Sequence, residues 1–210
     1  MTFRRSRRCG AIFMTGAAAA CLARSIIAWL PTRVRQRGAR PARQRGCQTA
    51  GVIDSQSVKT TESGGVCGYD AGKRIKGRKR HIVTDTIGLL VGLVVHGADV
   101  QDRDGAPEVL KSIAAIYPLL RHVFADGGYA GPKLCGALEK IGRWTLQIVK
   151  RSDTAQGFEV IPRRWVVQRT FAWIGRCRRM AKDWEKTIAS AEAWLLIAHI
   201  RRVIRLLARP

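Results

Sequence analysis

The nine residues Val123-Phe-Ala-Asp-Gly-Gly-Tyr-Ala-Gly131 decide the predicted fold of this chain. A short apolar run ends at Asp126 and two glycines follow, which is typical of a buried strand that carries an acidic side chain at its carboxyl end and then turns sharply. The segment Gly51-Val-Ile-Asp-Ser-Gln-Ser57 repeats this pattern around Asp54. Because strand ends from distant parts of a sequence can meet at one sheet edge, we predict that Asp54 and Asp126 hold a divalent metal ion together.

Strands and helices alternate on both sides of this stretch. Ala50–Ile53 is predicted as a first strand, followed by a loop over Ser55–Asp70. His81–Thr86 and Leu89–His96 are predicted as a hairpin around a turn at Ile87-Gly88. Because Leu89–His96 is almost continuously apolar, we predict that it lies inside the sheet rather than at its edge.

The remaining elements complete an α/β pattern. Helical spacing and start signals predict helices at Pro107–Ile116, after Asp102 and Asp104, and from Pro132 to about Ile141. Further elements are strands at 122–125 and 144–149 and helices at 163–174 and 188–207. Three strands followed by alternating helices and strands, in the order βββαβαβα, predict a mixed sheet with helices on both faces.

The charge of the chain favours a polyanionic partner. Its net charge is +23 and its isoelectric point is about 11.2, and nucleic acid is the commonest partner of so basic a protein. We therefore predict binding of double-stranded DNA and no membrane association. The predicted phosphate-contacting side chains are Lys73, Arg74, Lys76, Arg78, Lys79, Arg80, Arg164, Arg176, Arg178 and Arg179. The alternative for the run at 73–80 is a solvated, charged loop.

The spacing of the cysteines indicates the cellular compartment. The six cysteines include no Cys-x-x-Cys pair, so we predict neither a disulfide framework nor a zinc site, and we predict that the protein lies in a reducing cytoplasm.

Residues 1–48 contain eleven arginines, no lysine and no acidic residue. The apolar run after Arg8 resembles a signal peptide, but Arg24 interrupts it. We predict that 1–48 is a mis-started or frameshifted leader, disordered or out of frame, and that one domain spans 49–210.

Four segments carry a resemblance to a known family. They are Ile53-Asp-Ser-Gln-Ser-Val-Lys-Thr60, Gly72-Lys-Arg-Ile-Lys-Gly-Arg-Lys-Arg-His81, Phe124-Ala-Asp-Gly-Gly-Tyr-Ala130 and Arg164-Trp-Val-Val-Gln-Arg-Thr-Phe-Ala-Trp173. Together they resemble the catalytic domain of bacterial DDE transposases of the insertion-sequence-five family, from about Thr49 to the C-terminus. The resemblance implies a ribonuclease-H-like fold. It also implies a helical N-terminal DNA-recognition part, which residues 1–48 do not resemble.

The resemblance assigns roles to three positions. It implies that Asp54 and Asp126 are the first two members of the catalytic triad and bind Mg²⁺ or Mn²⁺ for DNA strand cleavage and strand transfer. The family's glutamate falls at Gln168, four residues after Arg164, so the resemblance also implies impaired catalysis. Neither Glu159 nor Glu185 is placed to substitute for it.

Other functions and ordinary structural roles fit parts of the pattern. A non-catalytic, basic DNA-binding protein derived from a transposase would keep the fold and the charge. A nuclease of the same fold would need only the two aspartates. Each aspartate alone also suits a turn, and Gln168 alone suits any polar helix surface. The sequence leaves the DNA end sequence, the target site and the formation of a homo-oligomer open.

Overall fold

A computed structural model describes residues 49–142, 144–149 and 163–208. The predicted leader and Glu159 lie outside these ranges. Within them, the six strands are β1 (Ala50–Lys59), β2 (Gly68–Asp70), β3 (Ile75–Asp85), β4 (Leu90–Gly97), β5 (His122–Ala125) and β6 (Thr145–Ile148). The four α-helices are α1 (Asp102–Ala114), α2 (Pro132–Ile141), α3 (Trp165–Gly175) and α4 (Ile188–Leu207). Short 3-10 turns cover Gly127–Tyr129 and Arg178–Met180.

The strands form one mixed sheet in the order β2-β3-β1-β5-β6, with β4 pairing along the outer side of β3. β1 is antiparallel to β3 and parallel to β5, and β5 is parallel to β6. The long strand β3 pairs with β2 through its first three residues and with β4 from Arg78 onward. This arrangement confirms the predicted ribonuclease-H-like mixed sheet.

Alternating side chains of the sheet enter two separate hydrophobic cores. Val52 and Phe124 pack with Val167 and Phe171 of α3 and with residues of α4. Their neighbours Ile53, Val123 and Ala125 point the other way, into a core shared with α1 and α2. Since successive side chains of a strand face opposite sides of a sheet, helices cover both faces as predicted.

The first strand is longer than predicted. Residues 55–59 continue β1 instead of starting a loop, so Asp54 lies in the middle of this strand and not at its end. The reason is a partner that the sequence hid: β3 begins at Ile75, six residues earlier than expected, and pairs with β1 from Gly51 to Lys59. The basic run at 73–80 is therefore mostly strand.

The prediction that Leu89–His96 lies inside the sheet was wrong. In the described part of the chain β4 pairs only with β3, so it is an edge strand. Its apolar side chains are explained by two helices: Val91 and Val94 join the α1 core, while Leu93 and Val95 join the α4 core. Two buried side chains of α4 also bind its backbone. The N–H of Leu90 donates to His199 Nε2 at 3.1 Å, and that of Val95 to Glu192 Oε1 at 3.2 Å.

Most other predicted elements are confirmed, with one shifted start. The hairpin turn at Ile87-Gly88 is present, and Asp85 Oδ1 accepts the N–H groups of Ile87 and Leu89 there. α1 begins at Asp102, five residues before Pro107. Backbone N–H groups at Asp104 and Gly105 donate to the Gln101 carbonyl and form this first turn without the proline.

Candidate active site

Strand register brings Asp54 and Asp126 to the same place. β1 and β5 are parallel neighbours with Val52 beside Phe124, so two further residues along each strand place Asp54 beside Asp126. Adjacent strands lie about 4.8 Å apart. Because side chains alternate, both carboxylates point to the face on which Val52 and Phe124 meet α3. The site therefore lies at the carboxyl end of β5 and halfway along β1.

Burial and a like charge make Asp54 a weak acid. The pKa of Asp54 is raised to about 6, chiefly because the carboxyl group is desolvated and also because the Asp126 carboxylate is near. The N–H of Ser55 donates to Asp54 Oδ1 at 2.7 Å and, with the positive charge of Arg164, partly opposes that rise. Two close carboxylates, one of them desolvated, form a site that favours a bound cation.

Asp126 is fixed by the turn after β5 and by a cation from α3. Its Oδ1 accepts the N–H of Gly128 at 2.9 Å, which caps the 3-10 turn at Gly127–Tyr129. Its Oδ2 accepts from Arg164 Nη2 at 3.2 Å. The turn and the ion pair orient the two oxygens of Asp126 separately.

The amino end of α3 positions Arg164 and Gln168. Val167 and Phe171 anchor the helix on the sheet beside Val52. Arg164 is the N-cap of α3, and Gln168 follows one turn later on the same face, exposed to solvent. The structure therefore places Gln168 on the helix face from which Arg164 reaches Asp126. Glu185, the described acid weighed as a substitute, instead binds Arg179 and Ser190.

The candidate oxygen ligands are two carboxylates and one amide. No group of three or more His, Cys, Asp or Glu side chains suited to a metal ion occurs among the described residues. Asp54 and Asp126 supply hard anionic oxygens of the kind that Mg²⁺ and Mn²⁺ prefer. At the position where the family resemblance implies a third ligand, Gln168 has only a neutral amide oxygen. The residues therefore fit a divalent ion, with one negative charge fewer than three carboxylates would supply.

A polar network lies on the opposite face of β1, and the sequence interpretation missed it. Asp102 Oδ1 accepts from Ser55 Oγ at 2.7 Å and pairs with the buried Lys79 Nζ at 3.0 Å. On the same face, His81 Nδ1 and His96 Nε2 are 2.7 Å apart. The pairing of Ser55 with His81 across β1 and β3 brings these residues together, and a predicted loop over Ser55–Asp70 concealed it. The partner Asp102 comes from a helix start that the sequence alone did not locate.

Three residues of the predicted DNA-binding run are inside the molecule. Arg78 donates to the carbonyls of Val66, Glu185 and Lys186 and pairs with Asp183 at 3.1 Å. Arg80 Nη1 donates to the Met180 carbonyl at 2.9 Å, and Lys79 belongs to the network around Asp102. Only 0%, 5% and 2% of Arg78, Lys79 and Arg80 are exposed, so the prediction that they contact phosphate is corrected here. Pairing with β1 turned a presumed loop into a strand with both faces covered.

The other predicted contact residues remain on the surface. Lys73, Arg74 and Lys76 are exposed at the start of β3, where the N–H of Lys73 donates to Asp70 Oδ1 at 3.0 Å. Arg176, Arg178 and Arg179 are exposed after α3, where Arg179 also pairs with Glu185 and stacks 4.3 Å from the Trp194 ring centroid. The basic residues thus divide into an exposed set around the start of β3, of which Lys73 is near Asp54, and another beyond the far end of α3.

Over the part of the chain that is described, no helix is both long enough and apolar enough to cross a membrane.

The fold and the paired carboxylates place the chain in one class of proteins, the DDE-domain proteins. The chain belongs to the transposase DDE domain family, whose model matches residues 45–202. A curated relative from Burkholderia cepacia, "Putative transposase for insertion sequence element IS402", is 32% identical over 117 residues. That match covers 52% of this chain and 54% of the relative, so the chain spans about half of that protein's length.

Two solved structures share a general likeness with the chain. The catalytic domain of Mos1 mariner transposase has a TM-score of 0.41 at 10% identity, over 90% of each chain. The Mos1 transposase paired-end complex with left transposon end has a TM-score of 0.32 at 8% identity, over 99% of this chain and 66% of that one. At these scores the fold assignment rests on the sheet topology of the chain itself.

Proposed function

We propose that this chain contains the catalytic domain of a bacterial insertion-sequence transposase that cuts and joins DNA strands at the ends of its element. The observation that supports this most directly is the register that sets Asp54 beside Asp126, with Arg164 of α3 paired to the second carboxylate. Membership in the insertion-sequence-five family is part of the same proposal and rests on the four sequence segments that resemble it.

The proposed cofactor is Mg²⁺ or Mn²⁺, held by Asp54 and Asp126. When bound, such an ion lowers the pKa of a coordinated water or hydroxyl and stabilises charge on the reacting phosphate oxygens. The two aspartates supply the anionic oxygens, and the Ser55 N–H and the Gly128 N–H fix one oxygen of each. Arg164 supplies a guanidinium beside the same carboxylates, where a backbone phosphate would approach.

We propose that Gln168 weakens this chemistry. An amide at the third position leaves one negative charge missing from the ligand set, so a second ion would be held weakly. Loss of one well-placed electrostatic group typically costs about 10²- to 10³-fold in rate. The proposed enzyme is therefore slow, and its binding of DNA is unaffected because Gln168 carries no positive charge that would pair with a phosphate.

The proposed DNA surface near the site consists of Lys73, Arg74 and Lys76 together with Arg164. These side chains lie at the start of β3 and the start of α3, and the positive charges of Lys73 and Arg164 partly oppose the burial that raises the pKa of Asp54. A duplex that placed one phosphate at the carboxylates would pass these cations. The proposal includes a homo-oligomer that brings two element ends together.

A non-catalytic DNA-binding protein derived from a transposase is the second candidate, favoured by Gln168. Nicking of an intact, non-specific duplex in the presence of Mn²⁺ separates the two, with Asp126→Asn as the negative control. We expect slow nicking by the natural chain and a gain of about 10²-fold for Gln168→Glu. If neither protein nicks DNA above the Asp126→Asn background, the catalytic proposal fails and the second candidate stands.

A further inference from the structure

Four arginines line one cleft between α3 and α4, away from the carboxylate pair. The cleft has a volume of about 330 Å³ and its lining includes Trp173 and Cys177. The arginines are Arg176, Arg201, Arg202 and Arg205. No acidic side chain is among the residues that line it. Like charges gathered in one concave surface repel each other, so the arrangement favours an anionic ligand.

The acids of this region are engaged elsewhere. Residues 163–208 contain eleven Lys and Arg residues and only three acids. Asp183 pairs with Arg78, Glu185 with Arg179, and Glu192 binds the backbone of β4. Arg176 and Arg205 are exposed, and neither side chain has a hydrogen bond or ion pair with any residue the structure describes. The cleft thus keeps uncompensated charge at its surface.

Stacking holds the floor of the cleft in place. The Arg202 guanidinium lies 3.3 Å from the Trp173 ring centroid, and Arg169 lies 4.6 Å from the same ring. Arg202 Nη1 also donates to the Gly88 carbonyl at 2.6 Å. Burial lowers the pKa of Arg202 to about 10, so it remains protonated at neutral pH. A guanidinium fixed on an aromatic face keeps its free edge ready for a bidentate oxyanion such as phosphate.

We propose that this arginine cleft is a second DNA-contact site. It binds the phosphodiester backbone of the same duplex that is bound, a few base pairs away, at Asp54 and Asp126. The inference rests on the proposed function for the identity of the partner. Arg164 and Arg176 stand at opposite ends of α3, twelve residues apart, which is about 18 Å along the helix axis. For a duplex that runs along the axis of α3, at about 3.4 Å per base pair, the cleft contacts DNA roughly five base pairs from the carboxylates.

The test is duplex binding by the full 210-residue chain, measured by fluorescence anisotropy on a labelled duplex of about 20 base pairs in EDTA over a range of NaCl concentrations. Arg176→Ala/Arg205→Ala removes two exposed charges from the cleft. Lys111→Ala/Lys140→Ala removes the same charge from exposed positions of α1 and α2, on the other face of the sheet. We expect the cleft variant to reduce the slope of log K against log salt by about 1.8, and the control to leave it unchanged.

The outcomes are distinct. Equal loss of slope in both variants, or no loss in the cleft variant, overturns the proposal. Inorganic pyrophosphate is the probe for a free-anion site: if it binds the natural chain and not the cleft variant, while both bind the duplex equally, the cleft is not a DNA site. Because EDTA removes divalent ions, failure here is independent of the Mn²⁺-dependent nicking that tests the proposed function.

Discussion

Arg164 Nη2 lies 3.2 Å from Asp126 Oδ2, so the first cation of α3 neutralises the carboxylate that ends β5. This contact joins two segments that are 38 residues apart and fixes the orientation of α3 over the site. It also defines the face of α3 that is turned toward the carboxylates. Gln168 lies one turn beyond Arg164 on that face. The candidate site is thus a cluster of two acids, one arginine and one amide, in which positive charge already compensates part of the negative charge.

Asp54 should destabilise the fold at neutral pH. Its pKa is raised from 3.8 to about 6, so the folded state binds a proton on Asp54 more tightly than the unfolded state does. The stabilisation of the fold by this proton is complete below pH 3.8 and is lost as pH rises through 6. Asp54→Asn should therefore raise the free energy of unfolding at pH 7.5 by about 3 kcal/mol, at 1.36 kcal/mol per pH unit. Urea denaturation measures this change.

The control for Asp54 is Asp104→Asn, which removes an exposed carboxylate of α1 that pairs with Lys133. We expect that variant to change stability by less than about 1 kcal/mol. Near pH 4 the gain from Asp54→Asn should disappear. Equal stability of Asp54→Asn and the natural chain at pH 7.5 would show that the carboxylate is not desolvated.

Arg78 should act as a structural residue and not as a phosphate contact. Its guanidinium binds three carbonyls and Asp183 in the interior, so Arg78→Ala leaves a buried carboxylate without its partner. We expect a loss of about 3–5 kcal/mol in urea denaturation. Lys76→Ala, an exposed neighbour on the same strand, should change stability by less than about 0.5 kcal/mol. A stable Arg78→Ala protein with a weaker salt dependence of DNA binding would restore the original sequence prediction.

His199 should make the fold sensitive to acid. Burial lowers its pKa from 6.5 to about 3, and the nearby positive charge of Arg202 adds to this shift. In the neutral ring, Nε2 accepts the Leu90 N–H. A depressed pKa gives stability that is complete above pH 6.5 and is lost as pH falls from there toward 3. His199→Gln keeps an acceptor but cannot take up this proton. Between pH 6.5 and 5 the natural chain should therefore lose about 2 kcal/mol more than the variant, and equal losses would contradict this account.

Sequence patterns predicted the parts of the fold that depend on local signals. The glycines after Asp126 and the apolar run before it located β5 correctly, and helical spacing located α2 and α4. Errors arose where distant segments decide the structure. β1 extends past Asp54 because β3 supplies a partner, and β4 is apolar because two helices cover it.

The candidate site divides in the same way. The proximity of Asp54 and Asp126 was predicted from their surroundings, and the metal ion that they share stays a prediction, whereas the burial of Arg78 and Arg80 had no local signal. A run of Lys and Arg residues in a sequence is typical of a solvated segment. These two side chains are buried because their strand pairs with β1 and because the segment after α3 packs over them. The partner of Lys79 at Asp102 was equally hidden, since it comes from a different element.

Calorimetric titration with Mn²⁺ tests the central claim most directly. The natural chain is compared with Gln168→Glu and with Ala172→Glu, which adds the same charge at an exposed position one turn further along α3. If Asp54, Asp126 and position 168 share one metal centre, Gln168→Glu should bind Mn²⁺ at least about tenfold more tightly, equivalent to about 1.4 kcal/mol, and Ala172→Glu should match the natural chain. Equal affinity in all three proteins would show that Gln168 does not occupy the third ligand position.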